Sequence, residues 1–140
     1  MKPIAIGELS RRTSVKVPTI RFYEERGLLP MPARTEGNRR TYGEAAVRRL
    51  RFIRHARELG FEVDAIRTLL DLAGQPDRPC AEADVIARRH LEDIDDRIAR
   101  LTALRTEVQA MLDSCACGQV RECRVIEVLA DHGKCLHDHH

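Results

Sequence analysis

The sequence has no apolar run near the roughly 18 residues that a membrane-spanning helix needs. Its first residues, MKPIAIGEL, also lack the apolar segment of a secretory signal peptide. We therefore expect a cytoplasmic protein that does not enter a membrane. A cysteine with a histidine nearby can act as a catalytic nucleophile, but neither a Gly-rich phosphate loop nor a Ser/His/Asp arrangement accompanies the cysteines of this sequence. We therefore do not expect an enzyme.

The sequence also lacks the even number of cysteines that a disulfide framework requires, since it has five. In a reducing compartment, cysteines are more often metal ligands or reactive thiols than disulfide partners. Three of the five lie within eleven residues near the end of the chain, in DSCACGQVREC. We therefore expect these thiols to hold a metal ion or a cluster.

The charge is unevenly distributed along the 140 residues. The totals are 24 Lys or Arg and 22 Asp or Glu, but residues 1–60 hold 14 basic and 6 acidic side chains, which leaves 10 and 16 for residues 61–140. A basic end of this kind indicates nucleic-acid binding. The alternative is a pair of oppositely charged, solvated faces.

Helix signals dominate, and strand signals are almost absent. The pattern predicts a short helix over Ile6–Arg12, a polar break, and a second helix that begins near Val17 and stops at Gly27. Pro18 suits a first helical turn, and glycine suits the position after a helix C-terminus. Two short helices separated by about four polar residues predict a helix-turn-helix.

A segment rich in Pro, Gly and Asn follows, LLPMPARTEGNRRTYG, and it predicts a loop or a tight β-ribbon. The sequence AAVRRLRFIRHARELG then has helical periodicity with basic residues around the apolar ones, and a further helix is expected over Val63–Leu72. GQPDRPC ends that pattern. These elements place a helix-turn-helix, a ribbon and two further helices within residues 1–75.

From Ala81 to Leu112 there is neither proline nor glycine, and apolar residues recur at intervals that alternate mainly between three and four. A period of 3.5 residues is typical of a coiled coil. Residues 80–113 are therefore predicted to form a long helix that pairs with a second copy of the chain. The alternative is a helix that packs on its own domain. Residues 114–140 then hold a metal-binding loop, a short helix and a His-rich tail.

The basic end offers side chains suited to double-stranded DNA. Thr19 and Arg21, with Tyr23 beside them, lie near the start of the second helix, where a recognition helix contacts base edges and phosphates. Arg34, Arg39 and Arg40 on the ribbon are expected to reach the adjacent backbone. A homodimer predicts a two-fold symmetric DNA site. A generic helical bundle with solvated arginines is the alternative.

The stretches TIRFYEERGLL and RLRFIRHARELGFEVDAIRTLL, with the intervening Arg- and Tyr-containing ribbon, resemble the mercury-resistance regulator (MerR) family of bacterial transcription factors. The resemblance implies that residues 1–75 form a winged helix-turn-helix domain with coupling helices. It further implies a long antiparallel coiled coil between two protomers and an effector site beyond the coil. It also implies an operator that is distorted so that RNA polymerase can engage both promoter elements. Matching family positions are expected to contact the DNA backbone at Arg21, Arg34, Arg40 and Tyr42. Arg39 departs from the family pattern, which often has an aromatic residue there.

The cysteine end fits the metal-sensing branch of that family. Cys115 and Cys123 bracket a loop that a metal ion can close, and the resemblance adds Cys80 from the other protomer as a third ligand. A third thiolate adds negative charge, which favours a divalent over a monovalent ion. Because nitrogen ligands favour zinc, zinc is expected first, then cadmium or lead, then mercury. Further candidate ligands are Cys117, His90, Cys135, His137, His139 and His140.

Two other interpretations of the cysteines stay open. Cys115, Cys117 and Cys123 match three of the four thiols of the family's redox-sensing branch, which holds a [2Fe–2S] cluster, but Leu112 occupies the fourth position. A Cu(I) sensor is the other interpretation, although copper-sensing relatives have no cysteine at the position of Cys80.

Overall fold

A computed structural model describes residues 3–114 and 118–131. The chain divides into two compact units, Met1–Ile86 and Ala87–His140, and each unit is described by itself. The first contains four helices and a small sheet. The second contains most of the longest helix, a 3₁₀ turn and one short helix.

Helices α1 (Ile6–Thr13) and α2 (Val17–Glu25) form the predicted helix-turn-helix. Ser14 turns the chain with a φ of 60°, and Pro18 lies in the first turn of α2, where its missing N–H costs no hydrogen bond. Gly27 follows α2 with a φ of 76°, a left-handed conformation that glycine adopts without strain. The predicted end of this helix is therefore confirmed.

The wing is a two-stranded antiparallel sheet of β1 (Ala33–Arg34) and β2 (Arg40–Thr41). Ala33 pairs with Thr41 and Arg34 with Arg40. Next to β2, the backbone of Tyr42 exchanges two 2.8 Å hydrogen bonds with Ile4. The base of the wing is thus attached to the segment that precedes α1.

Helices α3 (Glu44–Glu58) and α4 (Val63–Ala73) complete the core of the first unit. Apolar residues of α3 recur at helical spacing and are fully buried at Val47, Leu50 and Ile53, together with Leu9 of α1 and Ile20 of α2. This packing fixes α1 and α2 against α3. The mainly α-helical architecture with a winged helix-turn-helix is confirmed.

Helix α5 (Ala81–Asp113) is 33 residues long and ends within one residue of the predicted limit. Its large apolar side chains are more than half exposed at Val85, Leu91, Ile98, Leu101, Val108 and Leu112. A 3₁₀ helix, Val120–Glu122, and helix α6 (Arg124–Ala130) follow. Within the described residues, no helix is both long and apolar enough to cross a membrane.

Candidate nucleic-acid interface

The exposed side of α2 presents residues that the sequence predicted for DNA recognition. Arg21 is exposed and Thr19 is half-buried. Phe22, which the sequence pattern did not single out, is 40% exposed, and the Arg26 guanidinium lies 5.1 Å from the centre of its ring. The face of α2 that points away from the core is therefore polar and basic, with one exposed aromatic ring.

Hydrogen bonds within the tight turn of the wing order the segment that carries its arginines. Arg34 Nη1 donates a 3.1 Å hydrogen bond to the carbonyl of Asn38, and the backbone N–H of Thr35 donates to the carbonyl of Arg39 at 2.9 Å. Asn38 takes a φ of 61°, which asparagine tolerates better than most residues. These bonds order the turn that carries Arg39 and Arg40.

The wing and α2 meet at a basic cleft of about 440 Å³. Its lining residues are Ala5, Ile6, Arg21, Arg34, Asn38, Arg39 and Arg40. All four arginines predicted on the wing and on α2 thus line one cleft. Planar guanidinium groups at such density suit the several hydrogen-bond-accepting oxygens of a phosphate group.

The two tyrosines named as DNA contacts lie in the core instead. Tyr23 is 7% exposed and Tyr42 is 5% exposed, and both belong to the apolar cluster of the first unit. This corrects the expectation that Tyr23 stands beside Thr19 and Arg21 on the outer face. The helical period places Tyr23 with Ile20 on the inner side of α2, because residues three apart share a face.

Tyr42 is buried and contacts Glu24, which also lies close to Arg40 of the basic cleft. Its hydroxyl donates a 2.8 Å hydrogen bond to Glu24 Oε1, and Arg40 Nη1 lies 3.9 Å from the same oxygen. Burial and the Glu24 carboxylate raise the pKa of Tyr42 to about 12, against the lowering effect of Arg40 and Arg21. The phenol therefore stays protonated and remains a hydrogen-bond donor to Glu24 throughout the neutral range.

Two arginines of α3 have structural roles that the sequence did not reveal. Arg51 Nη2 donates to the carbonyl of Arg12 at 3.3 Å, and Arg54 Nη1 donates to the carbonyl of Thr13 at 3.4 Å. Both carbonyls belong to the C-terminal turn of α1, where cations are favourable. In the sequence, Arg51 and Arg54 look like any solvated basic helix face.

The described cysteines each precede a helix. Cys80 is exposed, and its carbonyl accepts the 2.9 Å hydrogen bond from Asp84 N–H that opens α5. Cys123 is half-buried, and its carbonyl accepts a 3.0 Å bond from Glu127 N–H at the start of α6. Both are free thiols. His90 is half-buried on α5.

The remaining candidate ligands lie outside the described residues: Cys115, Cys117, Cys135, His137, His139 and His140. Within residues 3–114 and 118–131, no three His, Cys, Asp or Glu side chains come together as a metal-binding group. The described part of one chain thus brings the four wing and α2 arginines together, and it does not bring together the proposed metal ligands.

Comparison with known proteins adds two sequence-family matches. Residues 4–73 match a model described as MerR HTH family regulatory protein, and residues 47–111 match a model described as MerR, DNA binding. Together the two matches cover the helix-turn-helix, the wing, α3, α4 and nearly all of α5.

Individual relatives match over most of the chain. The HTH-type transcriptional regulator ZntR of Escherichia coli strain K12 is 38% identical over 128 residues, 89% of this chain and 90% of that protein. The heavy metal-dependent transcription regulator 2 of Rhizobium meliloti is 34% identical over 126 residues, 90% of this chain and 86% of that protein. The crystal structure of the regulator PbrR691 from Ralstonia metallidurans CH34 in complex with lead(II) superposes with a TM-score of 0.79 at 39% identity, and covers 90% of this chain and 98% of that one.

Proposed function

Because this chain belongs to the MerR family of transcriptional regulators, we propose that it is a homodimeric activator that responds to a divalent metal ion. Family membership makes it a DNA-binding regulator and not an enzyme. The observation that carries the metal response is the likeness, at 39% identity over 90% of the chain, to a regulator crystallised with lead(II). A relative described as heavy metal-dependent supports the same conclusion.

The proposed metal ligands are Cys115 and Cys123 of one protomer and Cys80 of the partner subunit. The exposed thiol of Cys80 and the half-buried thiol of Cys123 supply the soft donors that a soft or borderline divalent ion prefers. Neither thiol is consumed by a disulfide. The order of preference stays zinc, then cadmium or lead, then mercury. The additional candidate ligands stay Cys117, His90, Cys135, His137 and His139.

The proposed DNA contacts are the side chains that face outward from α2 and the wing: Thr19, Arg21, Arg34, Arg39 and Arg40. The cleft that holds the four arginines supports a phosphate at this point, since each neutralised phosphate adds salt-dependent affinity. Two copies of the domain, related by two-fold symmetry, predict a symmetric operator.

The proposed dimer interface is the exposed apolar stripe of α5. Large apolar side chains on a long exposed helix are removed from water only when another element covers them. A second copy of α5, running in the antiparallel direction, presents the same apolar stripe and covers them. The dimer holds Cys80 of the partner subunit near the loop between α5 and α6. Ligation favours the conformation in which the two DNA-binding domains distort the operator, so that RNA polymerase can start transcription.

The test is transcription in vitro from the regulated promoter, titrated with Zn(II), Cd(II), Pb(II), Hg(II) and Cu(I), together with the amount of metal bound. Cys80→Ser should abolish activation by the divalent ions and leave operator affinity unchanged, because Cys80 lies outside the wing and α2. Arg21→Ala is the converse control, since it should weaken operator binding with and without metal.

Activation of Cys80→Ser by a divalent ion to the wild-type level would contradict the proposed site. A response to Cu(I) alone, or an iron–sulfur cluster in protein purified without oxygen, would contradict the divalent-ion proposal and leave the DNA-binding role in place.

A further inference from the structure

A charged side chain lies buried next to Arg40, one of the four arginines that line the basic cleft. The side chain of Glu24, on α2, is 3% exposed, and among the described residues of the first unit no other charged residue is buried. A buried carboxylate is costly unless hydrogen bonds or opposite charges compensate it. The position of Glu24 therefore calls for an explanation beyond packing.

Both side-chain partners of Glu24 come from the wing. Tyr42 donates its 2.8 Å hydrogen bond to Oε1, and Arg40 faces the same oxygen at 3.9 Å. The second oxygen, Oε2, is buried and has no hydrogen-bond partner among the residues that the structure describes. The carboxylate thus joins α2 to the wing and keeps unused capacity to accept a hydrogen bond.

The contact fixes one part of the interface relative to another. Glu24 is three residues beyond Arg21 on α2, while Arg40 and Tyr42 are at the base of the wing, whose backbone is bonded to Ile4. Arg21 and Arg40 both line the basic cleft. A guanidinium has five N–H donors, so Arg40 is able to face a carboxylate on one edge and a phosphate on another.

We propose that Glu24 is a positioning residue for operator recognition: its carboxylate orients Arg40 and Tyr42 so that the wing stands at a fixed distance from α2. The negative charge of Glu24 repels a nearby DNA phosphate whatever the DNA sequence. The fixed geometry, in contrast, strengthens binding only when α2 and the wing both reach their contacts on the DNA at the same time. Glu24 therefore raises the preference for operator over other DNA. This inference rests on DNA binding in the proposed function and not on the metal site.

Glu24→Gln tests the proposal, because glutamine keeps an oxygen that accepts from Tyr42 and loses the charge that holds Arg40. The metal-free full-length protein is titrated with two duplexes, one selected by the wild-type protein from a random-sequence pool and one scrambled version of it. We expect affinity for the selected duplex to fall about tenfold, the scale of one charge-assisted contact, while affinity for the scrambled duplex does not fall.

Glu25→Gln is the matched control. Glu25 is the next residue on the same helix, is exposed, and loses the same charge. It should raise affinity for both duplexes by the same factor, so that the ratio of the two affinities is unchanged. Wild-type protein that selects no duplex would contradict the DNA-binding role itself, an outcome separate from the effect of Glu24.

A double-mutant comparison separates positioning from folding. If Glu24 acts through Arg40, then adding Glu24→Gln to Arg40→Gln causes no further loss of affinity for the selected duplex. Equal losses on both duplexes in Glu24→Gln, or a further loss in the double variant, would overturn the proposal. If circular dichroism shows that Glu24→Gln is unfolded, Glu24→Asp replaces it, and an unchanged ratio in that variant would also overturn it.

Discussion

At the proposed DNA-binding surface, some side chains face outward and others hold those side chains in position. Arg21 and Arg39 are exposed, while Tyr42 and Glu24 form a buried hydrogen-bonded pair behind Arg40. A hydrogen bond to an ionised acceptor is about twice as strong as one between neutral groups. The buried pair therefore stabilises the wing as well as orienting it.

This pair predicts a dependence of stability on alkaline pH. The pKa of Tyr42 is about 12 in the folded domain, against 10.0 ordinarily, so the folded state holds the phenolic proton more tightly. Its contribution is complete below pH 10 and is lost as the pH rises from about 10 toward about 12, a total of about 3 kcal/mol for a two-unit shift.

The free energy of unfolding of wild-type protein should therefore fall more steeply above about pH 10 than that of Tyr42→Phe, which has no phenolic proton at this position. Urea unfolding at a series of pH values from about 8 to about 11 measures the difference. Curves for the two proteins that stay parallel over this range would show that Tyr42 holds its proton no more tightly in the folded state.

At the scale of elements, α5 differs from the helices of the first unit. Leu50 and Ile53 of α3 are fully buried within one chain, whereas Leu91, Ile98 and Leu101 of α5 are more than half exposed. Arg105 is exposed where the 3.5-residue period calls for an apolar residue, and the half-buried Leu104 lies beside it. The stripe has the length and the period of a coiled coil and lacks a covering element within the described residues of its own chain.

Leu101→Glu should therefore dissociate the dimer. In the proposed dimer, two copies of the substitution remove two leucines that pairing buries, each of which contributes about 1.5–3 kcal/mol, and they place two carboxylates in the interface. The dimer dissociation constant should rise by more than about a hundredfold, measured by sedimentation equilibrium. Thr102→Glu adds the same charge one residue off the stripe and should leave the dimer intact. A dimeric Leu101→Glu protein would assign the interface to another surface.

The elements also show what the sequence could and could not predict. The start of α2 beside Pro18 and its end shortly before Gly27 were predictable because these signals are local. The burial of Glu24, and the bonds from Arg51 and Arg54 to the end of α1, were not predictable, because they depend on packing between segments far apart in the chain. The sequence predicted which arginines contribute to the basic cleft. It did not predict that they line one cleft, because that depends on how α2 and the wing pack together.

At the scale of the whole molecule, the proposed regulator needs two chains to complete its sensor. Cys80 belongs to the first unit, and Cys123 belongs to the second. A site shared between protomers makes metal affinity and dimer geometry depend on each other, as linkage requires when one ligand favours one of two states. In the proposed regulator, this dependence is the route by which metal binding acts on the DNA-binding domains.

The most direct measurement is the metal content of a mixed dimer. One protomer carries Cys80→Ser and the other carries Cys123→Ser, with different affinity tags so that only the mixed species is purified. If each site combines Cys80 of one chain with Cys115 and Cys123 of the other, one of the two sites is intact, and the mixed dimer binds one divalent ion while both parent dimers bind none. If each site lies within a single chain, every site has one defect. A mixed dimer that binds no metal would therefore contradict the shared site.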